Sequence, residues 1–379
     1  MALRAIVIGA GWAGEGHTQA LRSAGVEVVA LCGRTPEPAR AMAQKLGVED
    51  VRFDWRQALA ELQPDIVSIA TPAIAHAEIA AFAAARSCHI ACEKPLGLNA
   101  AEAQAMWHAV EQAGVKHAYA ATSRYAPAAV YARTLLADGL IGQVREIEAV
   151  HHFNLSPLLP YSWFLQLDQG GGALYTDFTH FLGQILFITG GKVQAATGEA
   201  RRLIERAPVG APVHDLRLAT VPLDPEQAQA GEWRAVDADM GYTVMARLQM
   251  PDGNTAGALF QGSEMGTGRY SNSIAFYGSE GTLHLSGYFF SEMIEHFDRA
   301  RQAWTEIAIP DKVTGSLAWT EDPVQSAWCQ LFREFVADIR GEGYAGYPTF
   351  HDGWVANLVI DSVRKRSGWM PVPEWPTAT

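Results

Sequence analysis

Over its first 120 residues the chain alternates short β-rich apolar runs with longer stretches whose apolar positions recur at helical spacing. That alternation predicts a parallel sheet with helices on both faces. Residues 4–8, 26–31, 51–53, 66–70, 89–92 and 117–121 are read as its strands. Helices are expected over 14–23, 36–46, 55–62, 75–85 and 99–113, the second carrying Glu37 near its start and Gly47 at its close. Beyond Arg124 the pattern changes. After one more helix, 126–136, strands at 144–154, 193–203, 240–248, 255–262, 271–277 and 282–285 follow one another, with Asp252-Gly253 as a hairpin turn. Helices at 173–188, 324–339 and 351–366 stand apart, so an open, mostly antiparallel sheet with helices on one face is expected. The Pro- and Ala-rich stretch 205–232 reads as a long loop, a lid or a contact with another subunit.

Length and charge narrow the field. The 379 residues suggest two domains, and 29 basic against 41 acidic side chains give a net charge of −12, which argues against nucleic acid as a partner. The apolar runs are far shorter than the roughly 20 residues that span a bilayer, so no membrane segment is expected. The N-terminus runs straight into a glycine-rich turn without a signal-peptide pattern, which makes the cytoplasm the expected location. Cys32, Cys88, Cys92 and Cys329 are too scattered for a disulfide framework. Cys88 and Cys92 with His89 sit in an apolar strand without a second ligand pair and read as buried thiols, so no metal is expected.

Gly9-Ala10-Gly11-Trp12-Ala13-Gly14 has the spacing G-x-G-x-x-G directly between the first strand and the first helix. Gly9 permits the tight turn, Gly11 lets the backbone approach a pyrophosphate, and Gly14 allows helix and strand to pack. The second strand ends in Cys32-Gly33-Arg34-Thr35, where an NAD-preferring fold would carry an acid. Glycine there removes the repulsion of a 2′-phosphate, while Arg34 and Thr35 offer donors. NADP(H) is therefore the first expectation, with NAD the alternative if Arg34 only stacks on adenine. Glu93-Lys94-Pro95 closes the strand 89–92 at its carboxyl end, where doubly wound folds place their ligands. With only six lysines against 23 arginines, Lys94 stands out as an ammonium that can lose its proton near neutral pH.

The order Gly9 to Gly14, then Ile66-Val67-Ser68-Ile69-Ala70-Thr71-Pro72 with His76, then Glu93-Lys94-Pro95, then Gly170-Gly171-Gly172-Ala173-Leu174 with His180, resembles the glucose-fructose oxidoreductase and inositol dehydrogenase family, Gfo/Idh/MocA. Tyr277-Gly278-Ser279-Glu280-Gly281-Thr282 and Asp352-Gly353-Trp354 extend the resemblance over nearly the whole chain. It implies an N-terminal Rossmann domain, 1–123, and a C-terminal α/β domain, 124–379, for substrate binding and oligomerisation, with the C-terminal helix free to pack back on the first. It also implies pyridine-nucleotide chemistry at a secondary alcohol or carbonyl of a sugar, polyol or cyclitol, and a homodimer or homotetramer.

The family's catalytic lysine carries over to Lys94 and its histidine to His180, which suits proton transfer to and from a carbinol hydroxyl. Thr71, Pro72, His76 and Glu93 join Trp12, Ala13 and the glycines as expected cofactor contacts. The family's Asp four residues before the His is Thr176 here, with Asp177 one residue later. On a helix both neighbour His180. Asp177 is expected to have taken over the orienting role, leaving Thr176 a lesser contact. Arg124, Tyr125, His151, His152, Asn154, Tyr161 and Trp163 are candidate substrate contacts, because aromatic and polar groups together suit a polyhydroxylated ring. Two alternatives remain: a sugar-converting enzyme that recycles a tightly held cofactor internally, and a non-catalytic cofactor-binding regulator.

Overall fold

Strand β1 (Arg4–Ile8) is buried along four of its five residues and lies near the middle of a six-stranded parallel sheet, order β3-β2-β1-β4-β5-β6. The others are β2 (Glu27–Cys32), β3 (Val51–Arg52), β4 (Ile66–Ile69), β5 (His89–Cys92) and β6 (His117–Tyr119). The connecting helices are α1 (Trp12–Ser23), α2 (Pro36–Leu46), α3 (Trp55–Leu62), α4 (His76–Ala84) and α5 (Ala100–Ala113). The strand order reverses between β1 and β4, and such a switch point opens a crevice beyond the carboxyl ends of the strands. This computed structural model describes residues 2–268, 271–287, 293–344, 346–365 and 370–372. The first helix starts at Trp12, two residues earlier than expected, because Gly11 is already its N-cap.

The turn Thr122–Tyr125 and α6 (Pro127–Ala137) lead into a second, nine-stranded sheet, order β16-β15-β14-β13-β7-β12-β11-β8-β17. Its members are β7 (Val144–His152), β8 (Lys192–Arg201), β11 (Gly241–Gln249), β12 (Thr255–Ser263), β13 (Ser271–Gly278), β14 (Gly281–Ser286), β15 (Met293–Asp298), β16 (Ala303–Glu306) and β17 (Met370–Pro371). A separate ribbon pairs β9 (Arg206–Pro208) with β10 (Trp233–Ala235). Every neighbour pair in the large sheet is antiparallel except β7 with β12. Alternation decides what each residue faces. Ala258, Phe260, Ile274 and Phe276 point into the core, whereas Met245 and Tyr277 are exposed on the outer face.

Three expectations are corrected. The stretch 205–232 is not structureless, since it holds β9, α8 (Leu216–Ala219) and α9 (Pro225–Ala230). The helix expected over 173–188 opens as a π turn, Leu174–Phe178, before α7 (Thr179–Thr189). β15, β16 and β17 were not foreseen, and residue 366, the expected end of the last helix, lies outside the described residues. After the short α10 (Asp311–Thr314), α11 (Pro323–Ile339) packs on α1, and α12 (Phe350–Arg364) packs on α5 and β8. The chain's last helices therefore bind both sheets. Among the described residues no helix is long and apolar enough to cross a membrane.

Candidate active site

The turn after β1 takes its shape from glycine. Gly9 adopts φ +126°, and a side chain there would collide with the Ala70 carbonyl; one at Gly14 would collide with the Gly9 carbonyl. Gly11 caps α1 without any side-chain bond, which leaves the first-turn N–H groups of the helix directed at the crevice. Gly9, Gly11, Trp12 and Ala13 line a cavity of about 1510 Å³, larger than the usual single-ligand pocket and large enough for a dinucleotide with a small second molecule. Gly33, Arg34 and Thr35 form its rim at the end of β2. A side chain at Gly33 would press on Ala39 Cβ at 2.7 Å and Ala10 Cβ at 3.0 Å, so packing favours glycine here.

Thr71, Pro72, Glu93 and Lys94 carry the same cavity across the ends of β4 and β5. Glu93 is held from three sides: Trp328 Nε1 donates to Oε1 at 3.0 Å, the Lys94 N–H donates to Oε2 at 3.1 Å, and His17 Nε2 lies 3.1 Å from Oε1. His17 Nδ1 in turn meets Ser68 Oγ at 2.8 Å. Burial pushes the Glu93 carboxyl up, but His17, Lys94 and His180 outweigh it and bring it down to about 2. A fixed carboxylate thus sits directly behind Lys94.

Lys94 reaches out of the parallel sheet and donates from Nζ to the Thr176 carbonyl, 3.0 Å away in the π turn. Burial lowers its pKa, against the raising influence of Glu93, Asp177 and Glu264. The π turn is anchored from β11's side of the fold, where Asp239 Oδ2 accepts the Leu174 N–H at 2.8 Å and its carbonyl accepts the Ala173 N–H at 2.7 Å. One turn on, His180 lines the cavity beside Lys94; burial and the Lys94 charge bring its imidazole down to about 3, with Glu93 opposing. Such π turns recur at functional sites.

Asp177 behaves differently from expectation. Its carboxylate accepts from Tyr242 Oη at 2.6 Å and lies 3.3 Å from His151 Nε2, and His151 is flanked on its other side by Asn272. Burial raises the Asp177 pKa against the pull of His151, Tyr242 and Lys94. Within the π turn the carboxylate is thus engaged by two strands of the large sheet, Tyr242 of β11 and His151 of β7. Thr176 lines the cavity and its hydroxyl donates to the Gly172 carbonyl at 3.0 Å.

Several other candidates do not line the cavity. His76 is fully buried beneath the crevice, with Nδ1 2.9 Å from the Pro95 carbonyl and Nε2 2.8 Å from the Thr71 carbonyl; it buttresses both turns instead of facing the cavity. Arg124 turns away, with its guanidinium 4.2 Å from the Phe187 ring. Strand alternation in β7 sends His151 to the cavity and His152 to the opposite face. Gly14 packs behind the turn. Tyr125 does line the cavity, its hydroxyl donating to Glu334 at 2.7 Å, and Trp163 lines it too. Asn154 bridges to Met265 in the backbone, and Tyr161 lies beside Arg234. Cys88 and Cys92 are buried thiols, and burial raises the pKa of both, Cys88 to about 11.

Sequence reasoning missed Glu264, Asn272, Tyr242, His17 and Trp328. Asn272 had a readable signal, a polar residue on the inward face of a strand that otherwise turns Ile274 and Phe276 to the core. It also missed the two segments that roof the cavity. Val213, His214, Leu216 and Arg217 come from the stretch called a loop, and Arg217 ties it to α1 through Glu15 at 3.0 Å. Leu317, Ala318 and Trp319 precede α11 on the other side.

Residues 3–121 match an oxidoreductase family with an NAD-binding Rossmann fold, and residues 129–284 match the Gfo/Idh/MocA C-terminal domain. The chain belongs to the Gfo/Idh/MocA oxidoreductase family. Its six-stranded parallel sheet and its second, mostly antiparallel sheet are the α/β architecture of that family. Levoglucosan dehydrogenase of Pseudarthrobacter phenanthrenivorans is 27% identical over 89% of this chain and 88% of its own length. An inositol 2-dehydrogenase of Arthrobacter is 27% identical over 84% and 89%. Among solved structures, an oxidoreductase domain protein from Kribbella flavida superposes with a TM-score of 0.82 at 28% identity, covering 98% of this chain and all (100%) of that one. A levoglucosan dehydrogenase complex with NADH and levoglucosan shares the fold at a TM-score of 0.81 and 23% identity, over 99% of this chain and 100% of that one. This Gfo/Idh/MocA chain is accordingly an NAD-binding enzyme of the sugar and polyol dehydrogenase kind.

Proposed function

We propose that this protein exchanges hydride between NAD(P)(H) and a secondary alcohol or carbonyl of a sugar, polyol or cyclitol. The observation that carries the reading is that Lys94 of the parallel sheet and His180 of the second unit share one wall of a cavity that continues to the Gly9–Gly11 turn. A dinucleotide fits the residues present: the turn admits no side chain at Gly9, and the uncapped start of α1 offers N–H donors to a pyrophosphate. Bound there, it supplies the acceptor or donor of hydride.

The protein's own groups handle the proton. His180, neutral at physiological pH, accepts the carbinol hydroxyl proton, and Lys94 holds the oxygen as negative charge develops on it. The Thr176 carbonyl fixes the Lys94 Nζ, and the ionised Glu93 behind it supports a transient positive charge. Residues of segments 213–220 and 317–321 line the cavity beside the Gly11 turn, where His214 and Arg217 approach Gly11 and Glu15.

NADP(H) is the preferred cofactor in this reading, since Gly33 leaves no acid at the end of β2 and Arg34 is exposed on the rim. The outer face of the large sheet, with Met245 and Tyr277 exposed, is where a second copy would pack in a homodimer or homotetramer. The test is incubation of purified protein with NADP⁺ and separately with NAD⁺ over a panel of sugars, cyclitols and anhydrosugars, following nicotinamide absorbance. Reduction with at least one of them supports the reading. Cofactor binding without reduction across the panel contradicts it.

A further inference from the structure

Glu264 is a buried carboxyl of this wall that the mechanism leaves without work. It follows β12 directly and is 4% exposed, yet it lines the cavity. Its backbone is clamped on both sides: its N–H donates to the Met240 carbonyl at 2.8 Å, and its carbonyl accepts the Leu155 N–H at 2.8 Å. The side chain is thereby aimed, and what it meets in the wall is Thr176, the residue whose carbonyl also holds Lys94 Nζ. Lys94 and Glu264 converge on a single residue from two different sheets.

The neighbouring bonds fix the chemistry of that carboxyl. Thr176, whose hydroxyl also donates to the Gly172 carbonyl at 3.0 Å, and Lys94 both favour the charged form of the Glu264 carboxyl. Asp177, the other carboxylate of the wall, is engaged by Tyr242 and His151 inside the protein. Burial and the nearby Asp177 raise the Glu264 pKa well above the ordinary value. Charged or protonated, the carboxyl keeps an acceptor oxygen for the cavity it lines.

We propose that Glu264 is a specificity-determining residue that accepts a hydrogen bond from a second substrate hydroxyl, on the carbon next to the one oxidised at Lys94 and His180. The substrate class is then a vicinal diol of a sugar or cyclitol ring, in preference to an isolated secondary alcohol. This rests on the dehydrogenase reading above and adds the second point of attachment. A buried polar group left unpaired by the wrong substrate is the strongest source of such discrimination.

The experiment compares native protein, Glu264→Ala and Glu264→Gln on two substrates: the sugar or cyclitol that the panel selects, and its analogue deoxygenated at the neighbouring carbon. Cofactor affinity, read at the distant glycine turn, shows that each variant is folded. Native protein is expected to favour the diol by roughly ten- to a hundred-fold in kcat/KM. Glu264→Ala brings the two substrates to within a few-fold of each other, chiefly by raising KM for the diol. Glu264→Gln restores much of the preference, because the amide carbonyl still accepts. Preference retained in Glu264→Ala, or Glu264→Gln no better than Ala, overturns the proposal while leaving the dehydrogenase reading intact. A native protein that reduces cofactor with no sugar overturns both.

Discussion

Lys94 Nζ lies 3.0 Å from the carbonyl oxygen of Thr176, 82 residues further along the chain. The bond joins the end of a parallel strand to the π turn of the second unit, so the position of the ammonium depends on both sheets. Because the phosphate end is built from backbone at Gly9 and Gly11, cofactor affinity and turnover are separable. Lys94→Met is expected to bind cofactor within a few-fold of native and to lose roughly 10²- to 10⁴-fold in turnover, measured by fluorescence titration and steady-state kinetics. Turnover within a few-fold of native would make Lys94 a structural residue.

His180 gives a pH signature in stability. Its pKa falls from the ordinary 6.5 to about 3 on folding, so between those values the unfolded chain binds a proton that the folded protein does not. Stability therefore rises with pH across that window, by up to about 1.4 kcal/mol per unit, and the contribution is complete above pH 6.5. Denaturant unfolding of native and His180→Asn protein is expected to show native losing stability relative to the variant as pH falls below 6.5. Parallel curves would mean that His180 protonates freely in the fold.

Asp177 and Tyr242 form one hydrogen-bonded unit at 2.6 Å. Asp177→Asn is expected to lower turnover without moving the pH limb that belongs to His180. Tyr242→Phe should couple to it by roughly 0.5–3 kcal/mol in a double-mutant cycle on kcat/KM. A moved limb would show that Asp177 acts on the imidazole directly.

Cofactor choice is best tested at Arg34, since a side chain at Gly33 would strain against Ala39 and confound the result. A charge-assisted hydrogen bond is worth about 1.5–3 kcal/mol, so Arg34→Ala should weaken NADP(H) roughly ten- to a hundred-fold and NAD(H) by little. Equal losses for both would place Arg34 on the adenine.

How far the sequence carried this reading depends on locality. The parallel half was legible because each strand is an unbroken apolar run followed by a helix with its own caps, and α2, α3 and β5 start and stop where their residues say. Lys94 and His180 could be singled out because the order of Glu93-Lys94-Pro95 and the triple glycine along the chain resembles the family, and the fold brings both to one cavity. The partners of Asp177 could not, because helical spacing places it near His180 and only the π turn and the register of β11 bring Tyr242 to it. Glu264 was hidden for a related reason. It lies two residues past the expected end of its strand, and what makes it part of the site is a contact with a residue 88 positions earlier, Thr176.

The proposed reaction is hydride transfer at Lys94 and His180 with release of the reduced cofactor. It is tested most directly by counting, over many turnovers with a sugar that the panel selects, the reduced nicotinamide and the carbonyl product formed by native protein and by Lys94→Met. The account predicts equal amounts of the two in native protein, far in excess of enzyme, and almost none of either in the variant. Product formed without matching reduced nicotinamide, or equal accumulation in the Lys94→Met protein, would contradict it.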